Sequence, residues 1–336
     1  MVEPATPREF IGIEPGARLL ALVGPTAVGK TAVALKIATE LCAEIISADS
    51  MQIYRGMDIG TSKPSAEERH GVPIHMLDIA DPDTNFSVAH FKQVADHEAS
   101  HVIERCMLPL LVGGSGLYYR AIVDDLDFAN VGGTDEFRVE IEEELSEMSE
   151  DELHGLLADL DPGAAEEIPP ANRRRVLKAI EVAQRGGRLM SERQASWSDF
   201  SSPYDLKVVG LDMERRLLYR MIDGRVDSMM DTGLAEEVAR LMKVGLRRGT
   251  TAGEALGYRQ LLEYFEGLVT LEKAVEEIKA RTRQYAKRQL TWFRKDPRVR
   301  WFRIEGMPED SPSKIALSLE RTAREILEFL SDKPEN

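Results

Sequence analysis

Apolar and polar residues alternate in blocks along the first 125 residues, and the blocks predict strands and helices in turn. Short apolar runs bounded by turn residues are typical of buried strands, whereas apolar residues spaced three or four apart are typical of helices. The predicted strands are 18–23, 44–48, 72–77 and 109–112, and the predicted helices are 32–41 and 87–105. Strands that alternate with helices form a parallel sheet covered on both faces. The sequence therefore predicts an α/β fold with a doubly wound parallel sheet.

The pattern changes after residue 125, where charged sequence with helical spacing begins and continues to about residue 202. A strand pattern returns at 207–211, helices dominate 214–295, and a last strand at 299–304 precedes an amphipathic helix at 313–330. We therefore expect a catalytic core made of residues 16–125 and 203–330. Residues 126–202 are expected to form a mainly helical insertion domain.

Composition and charge narrow the class of protein. The chain has 336 residues and a net charge of −15, and none of its apolar runs approaches the roughly 18 residues of a membrane span. We therefore expect a cytoplasmic protein that does not enter a membrane. Its two cysteines, Cys42 and Cys106, have no partner at metal-ligand spacing, and we expect them to be small core residues.

The charge is unevenly distributed. Residues 135–167 hold 14 acidic side chains and one basic side chain, whereas 172–193 holds seven basic and two acidic ones. Residues 279–303 hold ten basic side chains and one acidic, with five aromatic residues among them. Such a segment can bind a polyanion, although a solvated helix face with its aromatic residues in the core has the same composition.

The stretch Gly24-Pro25-Thr26-Ala27-Val28-Gly29-Lys30-Thr31 has the spacing G-x-x-x-x-G-K-T of a phosphate-binding loop. It follows a predicted strand and precedes a predicted helix, so its backbone N–H groups and the helix N-terminus can surround a phosphate. The core is therefore expected to be P-loop NTPase-like and to bind a nucleotide, such as ATP, or another phosphate ester.

Two carboxylates are candidates for chemistry near that loop. The strand 109–112 runs into glycines without the carboxylate that would hold magnesium in a hydrolase, which disfavours a water-activating ATPase. Asp49 follows the strand 44–48 and is expected to point toward the bound phosphate, although it could instead cap the next turn. Asp78 could hold a metal or cap a turn.

His97-Glu98-Ala99-Ser100-His101 matches the H-E-x-x-H pattern of zinc proteases. Helical spacing places both histidines at the edge of the apolar face, toward solvent, where a catalytic metal would lack a dry cavity. We therefore do not expect a zinc site here.

Several ordered stretches together resemble the tRNA dimethylallyltransferase family, also called tRNA isopentenyltransferases. The matching stretches are the phosphate loop, 47–64, 78–82, 110–118, 175–181, 257–260 and 282–292. The resemblance therefore covers roughly residues 18–304 and is much more specific than the phosphate loop alone.

The resemblance implies a prenyltransferase that modifies tRNA. A dimethylallyl group would pass from dimethylallyl diphosphate to the exocyclic N6 amine of the adenine 3′ of the anticodon, releasing diphosphate in the presence of Mg²⁺. Gly24 to Thr31 would bind the diphosphate, and Thr31 would also ligate the metal. The catalytic residues implied are Asp49 as the base and Lys30, Thr31 and Arg225 at the diphosphate.

The same resemblance, together with the basic segments, gives an expected binding site for the tRNA anticodon stem-loop. Its residues would be Asp49, Ser50, Met51, Gln52, Ser115, Arg138, Arg174, Arg175, Val176, Leu177, Lys178, Arg283, Lys287 and Arg288. Two positions depart from the family: Ser115 replaces the more usual threonine, and Met221, beside Arg220, stands where many members have an arginine. We expect the protein to act as a monomer.

Two other functions use the same loop. One is a small-molecule kinase that uses ATP, and the other is an adenylate isopentenyltransferase that acts on free AMP. A metabolite kinase does not need the basic, aromatic segment 279–303, whereas an enzyme that receives a splayed adenine of tRNA does. The long insertion favours tRNA over AMP.

Overall fold

Six strands form one sheet in the computed structural model, which describes residues 18–124, 126, 141, 143–184, 189–192 and 200–331. The strands are β1 (Arg18–Val23), β2 (Ala43–Ala48), β3 (Ile74–His75), β4 (Leu108–Gly113), β5 (Asp205–Met213) and β6 (Val299–Ile304). Their order is β3-β2-β4-β1-β5-β6, and every neighbouring pair is parallel. The predicted parallel α/β sheet is confirmed.

Helices connect the strands. In the described ranges they are α1 (Lys30–Leu41), α2 (Val88–Glu104), α3 (Gly116–Val123), α4 (Glu150–Leu160), α5 (Pro162–Glu167), α6 (Arg173–Gln184), α7 (Arg215–Asp231), α8 (Leu234–Met242), α9 (Tyr258–Phe265), α10 (Leu271–Phe293) and α11 (Pro312–Ser331). None of these helices combines the length and apolar character needed to cross a bilayer.

Contacts divide the described residues into two units. The core unit comprises the described parts of 1–86, 90–123 and 202–336, and the helical unit comprises those of 87–89 and 124–201. In the helical unit, α4, α5 and α6 share a core that includes Leu153, Leu157 and Val176. Arg173 donates hydrogen bonds to the carbonyl oxygens of Leu145, Ser146 and Met148, so this member of a basic run has a structural role.

The register of the sheet brings the loops after β1, β2 and β4 to one edge. Val23 at the end of β1 pairs with Gly113 at the end of β4, and Gly113 pairs with Ala48 at the end of β2. Because the strands are parallel, the segments that follow these residues emerge side by side. These segments contain the phosphate loop, Asp49 and Gly114.

Two expectations about local structure were wrong. The third strand was predicted over 72–77 but β3 has two residues, because Met76 and Asp78 adopt left-handed conformations with φ of 67° and 56° that end the extended chain. Cys42 and Cys106 are exposed and not core residues. Both have left-handed backbone conformations, Cys42 directly after α1 and Cys106 two residues after the end of α2.

A buried carboxylate supports the loop 57–64, which follows β2. Glu237 on α8 is 1% exposed and accepts hydrogen bonds from the backbone N–H groups of three successive residues, Asp58, Ile59 and Gly60. The Tyr258 hydroxyl donates to the same carboxylate at 2.6 Å. Burial and the Glu237 charge raise the pKa of that hydroxyl, so it remains a donor. One side chain thus satisfies four donors.

The loss of this carboxylate should destabilise the core unit. In a Glu237→Ala variant the three N–H groups lose their acceptor in a dry site, and we expect the free energy of unfolding to fall by roughly 3 kcal/mol or more in urea titrations. Glu236→Ala is the matched control, because Glu236 is the exposed neighbour on α8. It should change stability by about 0.5 kcal/mol or less. Equal losses in the two variants would contradict the role assigned to Glu237.

Candidate active site

The loops at the sheet edge open into a cavity of about 1150 Å³ that lies within the core unit. One side is formed by the phosphate loop and α1, and the other sides by the segment 49–70, by α7, by α10 and by α11. Polar and charged residues that line it include Thr26, Lys30, Thr31, Asp49, Gln52, Ser62, Arg225, Tyr285 and Gln289. The cavity therefore brings Asp49 together with five of the eight residues predicted to bind diphosphate, whereas Gly24, Pro25 and Val28 do not line it.

The phosphate loop has the backbone geometry of an anion site. Gly24 has φ of 150°, and a Cβ there would lie 2.7 Å from the Leu211 carbonyl oxygen, so only glycine fits. Gly29 has φ of 95° and is the N-cap residue of α1. The backbone N–H groups of 27–32 have no hydrogen-bond acceptor in the described part of the chain. Successive unpaired N–H groups at a helix N-terminus attract an anion.

Two cations face this loop. The Lys30 ammonium donates to the carbonyl oxygens of Gly24 and Pro25 at 3.0 and 2.8 Å. Burial, together with the Arg225 charge, lowers the pKa of Lys30 to about 7, and the Asp49 charge acts in the opposite direction. Burial also lowers the pKa of Arg225, but a guanidinium stays charged. A phosphate placed here would relieve the repulsion between these two cations.

Asp49 is held by the turn that follows it. Its Oδ1 accepts hydrogen bonds from the backbone N–H groups of Met51 at 2.9 Å and Gln52 at 3.4 Å. Its Oδ2 has no hydrogen-bond partner among the described residues. Asp49 therefore caps a turn through one oxygen and keeps the other available for a proton.

Hydrogen bonds fix the remaining residues of the cavity. Ser47 donates to the Gln52 side chain at 2.8 Å, and Gln52 donates to the Thr61 carbonyl oxygen at 3.1 Å. In the next position along the chain, the Ser62 hydroxyl accepts from Arg225 Nε at 2.8 Å. This contact sets the plane of the guanidinium and leaves its terminal nitrogens for a ligand.

Sequence reasoning missed three residues that shape the cavity, namely Ser62, Glu237 and Gln289. Ser62 and Gln289 lie within stretches that resemble the family, but their roles depend on partners far away in sequence. Gln289 is 263 residues from its partner Thr26. Glu237 lies in an ordinary amphipathic helix, and only its burial identifies it.

The predicted tRNA-binding residues fall into several groups. Arg174, Arg175, Lys287 and Arg288 are exposed, and Lys178 is half-buried and paired with Glu181 at 2.9 Å. Ser50, Met51, Ser115 and Leu177 are partly exposed. Arg283 is partly buried and forms an ion pair with Asp223. Arg138 lies outside the described residues.

Val176, another of the predicted tRNA-binding residues, has a buried side chain. Its side chain is 0% exposed and belongs to the core of the helical unit. The basic run continues on both sides of it because residues 174 and 175 face solvent while 176 faces inward, as helical periodicity requires. Its side chain is therefore not available to tRNA.

Of Met221, Arg220 and Asp78, Met221 is the residue that lines the cavity. Arg220 donates to the Asp310 carbonyl oxygen at 2.8 Å and does not line the cavity. Arg220 thus does not supply a second guanidinium to the cavity. Asp78 forms an ion pair with Lys63, with 2.6 Å between Oδ1 and Nζ, and it also does not line the cavity.

The two histidines of the H-E-x-x-H motif lie on α2, with their ring centroids 4.0 Å apart. His97 is exposed, and Glu98 contacts His75 Nδ1 at 2.9 Å. Throughout the described ranges, no three histidine, cysteine, aspartate or glutamate residues are grouped as metal ligands. Thr31 lines the cavity, and hydroxyl, phosphate and water oxygens are ligands that a magnesium ion accepts.

Comparison with known proteins confirms the family resemblance. A family model described as "IPP transferase" matches residues 52–296, and one described as "Isopentenyl transferase" matches residues 17–80. The chain is 44% identical over 293 residues to the tRNA dimethylallyltransferase of Halalkalibacterium halodurans, covering 87% of this chain and 93% of that protein. It is 45% identical over 318 residues to that of Moorella thermoacetica, covering 93% and 95%.

Solved structures agree with these matches. The full-length tRNA isopentenylpyrophosphate transferase of Bacillus halodurans is 41% identical, with a TM-score of 0.65, and the match covers 93% of this chain and 99% of that one. A eukaryotic dimethylallyltransferase described as acting on tRNA shares the fold at 23% identity, with a TM-score of 0.76 and coverage of 94% and 80%.

The low pKa of Lys30 predicts proton uptake when an anion binds the loop. At pH 8 an amine with a pKa of about 7 is mostly neutral, and a bound diphosphate favours the ammonium form. When the protein binds inorganic diphosphate at pH 8, we expect it to take up roughly 0.5 to 1 proton at Lys30. The affinity for diphosphate should fall as the pH rises from 7 to 9. Calorimetry in buffers of different ionisation enthalpy measures the uptake.

Lys30→Arg is the control, because its guanidinium stays charged and cannot take up a proton. Subtracting the proton uptake of Lys30→Arg from that of the wild type removes the contribution of protons exchanged by diphosphate itself. Equal uptake in both would contradict a Lys30 amine that is neutral before the anion binds.

Proposed function

The chain belongs to the tRNA dimethylallyltransferase family, and on that premise we propose that it transfers a dimethylallyl group from dimethylallyl diphosphate to the N6 amine of the adenine 3′ of the tRNA anticodon. The observation that carries the proposal is the cavity in which the phosphate loop, two cations and the Asp49 carboxylate meet. The loop and cations suit a diphosphate, and the carboxylate suits a reaction that releases a proton.

Asp49 is the proposed general base. The lone pair of an exocyclic amine is delocalised into the purine ring, so the amine attacks well only if its proton is removed as the new bond forms. The N6 nitrogen forms a bond to C1 of the donor while the bond from C1 to the diphosphate oxygen breaks. The proton passes to Oδ2 of Asp49, and the electron pair of the broken bond leaves with the diphosphate.

The proposed stabilisation of the leaving diphosphate comes from the phosphate loop. Charge grows on the diphosphate oxygens as the bond breaks, and the N–H groups of 27–32, Lys30 and Arg225 are arranged to meet it. Thr31 would help to hold a magnesium ion, and that ion would neutralise part of this charge. Ser62 keeps the Arg225 guanidinium oriented through its contact with Nε.

Each unit by itself carries exposed basic residues that we propose contact tRNA. Arg174 and Arg175 in the helical unit and Lys287 and Arg288 on α10 are free to contact phosphates, and Tyr285 lines the cavity from the same helix. Burial and the Asp49 charge raise the pKa of the Tyr285 hydroxyl to about 12, so its ring meets the adenine with a neutral phenol. We also propose that residues 126–202 act as a tRNA-contacting domain and that the enzyme works as a cytoplasmic monomer.

One assay separates this function from the two that use the same loop. The protein is incubated with dimethylallyl diphosphate, Mg²⁺ and unmodified tRNA, and in parallel with AMP as acceptor and with ATP plus metabolites. Mass spectrometry of the tRNA nucleosides should show the prenylated adenosine. Prenylated AMP, or phosphorylated metabolites without modified tRNA, would replace the proposal by the adenylate isopentenyltransferase or by the kinase.

Asp49→Asn tests the base. The amide keeps the Oδ1 acceptor for the turn and loses the proton acceptor, so we expect kcat to fall by about 10²- to 10⁴-fold while tRNA affinity stays within a few-fold. Single-turnover prenylation and filter binding measure the two quantities. Asp83→Asn, an exposed aspartate outside the cavity, should behave as wild type. Full turnover by the Asp49 variant would remove Asp49 from the mechanism.

Charge reversal tests the tRNA site. Lys287→Glu with Arg288→Glu, and separately Arg174→Glu with Arg175→Glu, should weaken tRNA binding and flatten the slope of log K against log salt by roughly 0.7 to 0.9 per lost phosphate contact. Affinity for dimethylallyl diphosphate should not change.

The control for these pairs is Lys243→Glu with Arg247→Glu. Both residues are exposed on the core unit and outside the basic segments, so this pair changes the net charge by the same amount. It should leave the salt slope unaltered. A pair from the proposed site that matches this control would lose its place in the tRNA site.

A further inference from the structure

Gln289 on α10 joins two loops at the edge of the sheet. Its Oε1 accepts a hydrogen bond from the Thr26 backbone N–H at 2.8 Å, and its Nε2 donates to the Gly114 carbonyl oxygen at 2.9 Å. The side chain is 6% exposed. Because one partner is a donor and the other an acceptor, only one orientation of the carboxamide satisfies both. Gln289 therefore fixes the start of the phosphate loop against the loop that follows β4.

The contact determines which N–H groups the loop offers to an anion. Thr26 gives its N–H to Gln289, whereas the next six residues, 27–32, have no acceptor in the described ranges. The division between paired and unpaired N–H groups thus falls between residues 26 and 27. A loop released from Gln289 would be free to turn the Thr26 N–H, and the groups after it, away from their present directions.

The loop after β4 packs closely against α10. A Cβ at Gly114 would lie 2.2 Å from Gln289 Nε2, and a Cβ at Gly116 would lie 2.3 Å from Trp292 Cδ2. The loop after β4 therefore lies directly on α10, and Gln289 fills the space between that loop and Thr26. The ring of Tyr285, one turn earlier on α10, lines the same cavity.

We propose that Gln289 is a positioning residue for the diphosphate of the prenyl donor. It holds the phosphate loop in the conformation that receives the anion, without touching the anion itself. The inference rests on the proposed function, because it takes diphosphate as the ligand of the loop. It assigns to α10 a second task beside the tRNA contacts proposed for Lys287 and Arg288.

The test uses inorganic diphosphate with Mg²⁺ as the probe and calorimetry as the readout. Gln289→Met has a similar size and neither hydrogen bond, and we expect it to weaken diphosphate binding about 10-fold or more. Gln284→Met is the matched control, because Gln284 is exposed on the same helix and does not line the cavity. It should bind within twofold of wild type. Wild-type affinity in Gln289→Met would overturn the inference.

Steady-state kinetics distinguish positioning from a general loss of structure. The KM for dimethylallyl diphosphate should rise about 10-fold in Gln289→Met, while the KM for tRNA stays unchanged. A fall in kcat alone, with an unchanged donor KM and fewer binding sites per chain, would show partial unfolding and overturn the inference.

If Gln289→Met does not fold, Gln289→Leu carries the same test. Its side chain is uncharged and lacks both the acceptor for Thr26 and the donor to Gly114, and the same 10-fold loss is expected. A wild-type protein that fails to bind inorganic diphosphate, or that binds it without competition from the prenyl donor, would instead overturn the proposed diphosphate site. That result differs from one in which only the Gln289 variants match wild type.

Discussion

The six unpaired backbone N–H groups of 27–32 are the constraint on which the rest of the site depends. They form at the end of a buried central strand, next to Lys30 and Arg225, and the Asp49 charge acts against the effect of these two cations. Contacts from several sides of the cavity hold the loop in this arrangement. The loop suits an anionic ligand. The Asp49 carboxylate does not suit an anion, and we assign it instead to the removal of a proton.

The support for this loop comes from residues that never reach the ligand. Glu237 orders the segment 57–64, Ser62 in that segment orients Arg225, and Gln289 fixes Thr26. These contacts are partly buried, where each hydrogen bond is stronger and each unpaired group costs more than in water. These supporting contacts therefore hold a few hydrogen-bond donors and one acceptor in accurate positions.

The sequence predicted the sheet, the helices and the phosphate loop because these depend on local periodicity and spacing. The position of Asp49 near the phosphate loop could also be predicted, because the carboxyl ends of parallel strands share an edge of the sheet. The short β3 was missed because left-handed residues such as Met76 leave no mark on hydrophobic patterning. Gln289 and Glu237 were missed because their partners lie far away in sequence, and the burial of Val176 because its basic neighbours dominated the pattern.

The distance along the chain between Thr26 and Gln289 also bears on how the protein is made. The phosphate loop belongs to an early segment, yet it is completed by β5, by α10 and by Leu319 of α11, which lies against Gly29. Loop closure over such separations is slow, and a chain emerging from the ribosome from its N-terminal end holds the loop long before these elements exist. The nascent polypeptide should therefore gain its anion site only in a late step of synthesis, after most of the sheet has been translated.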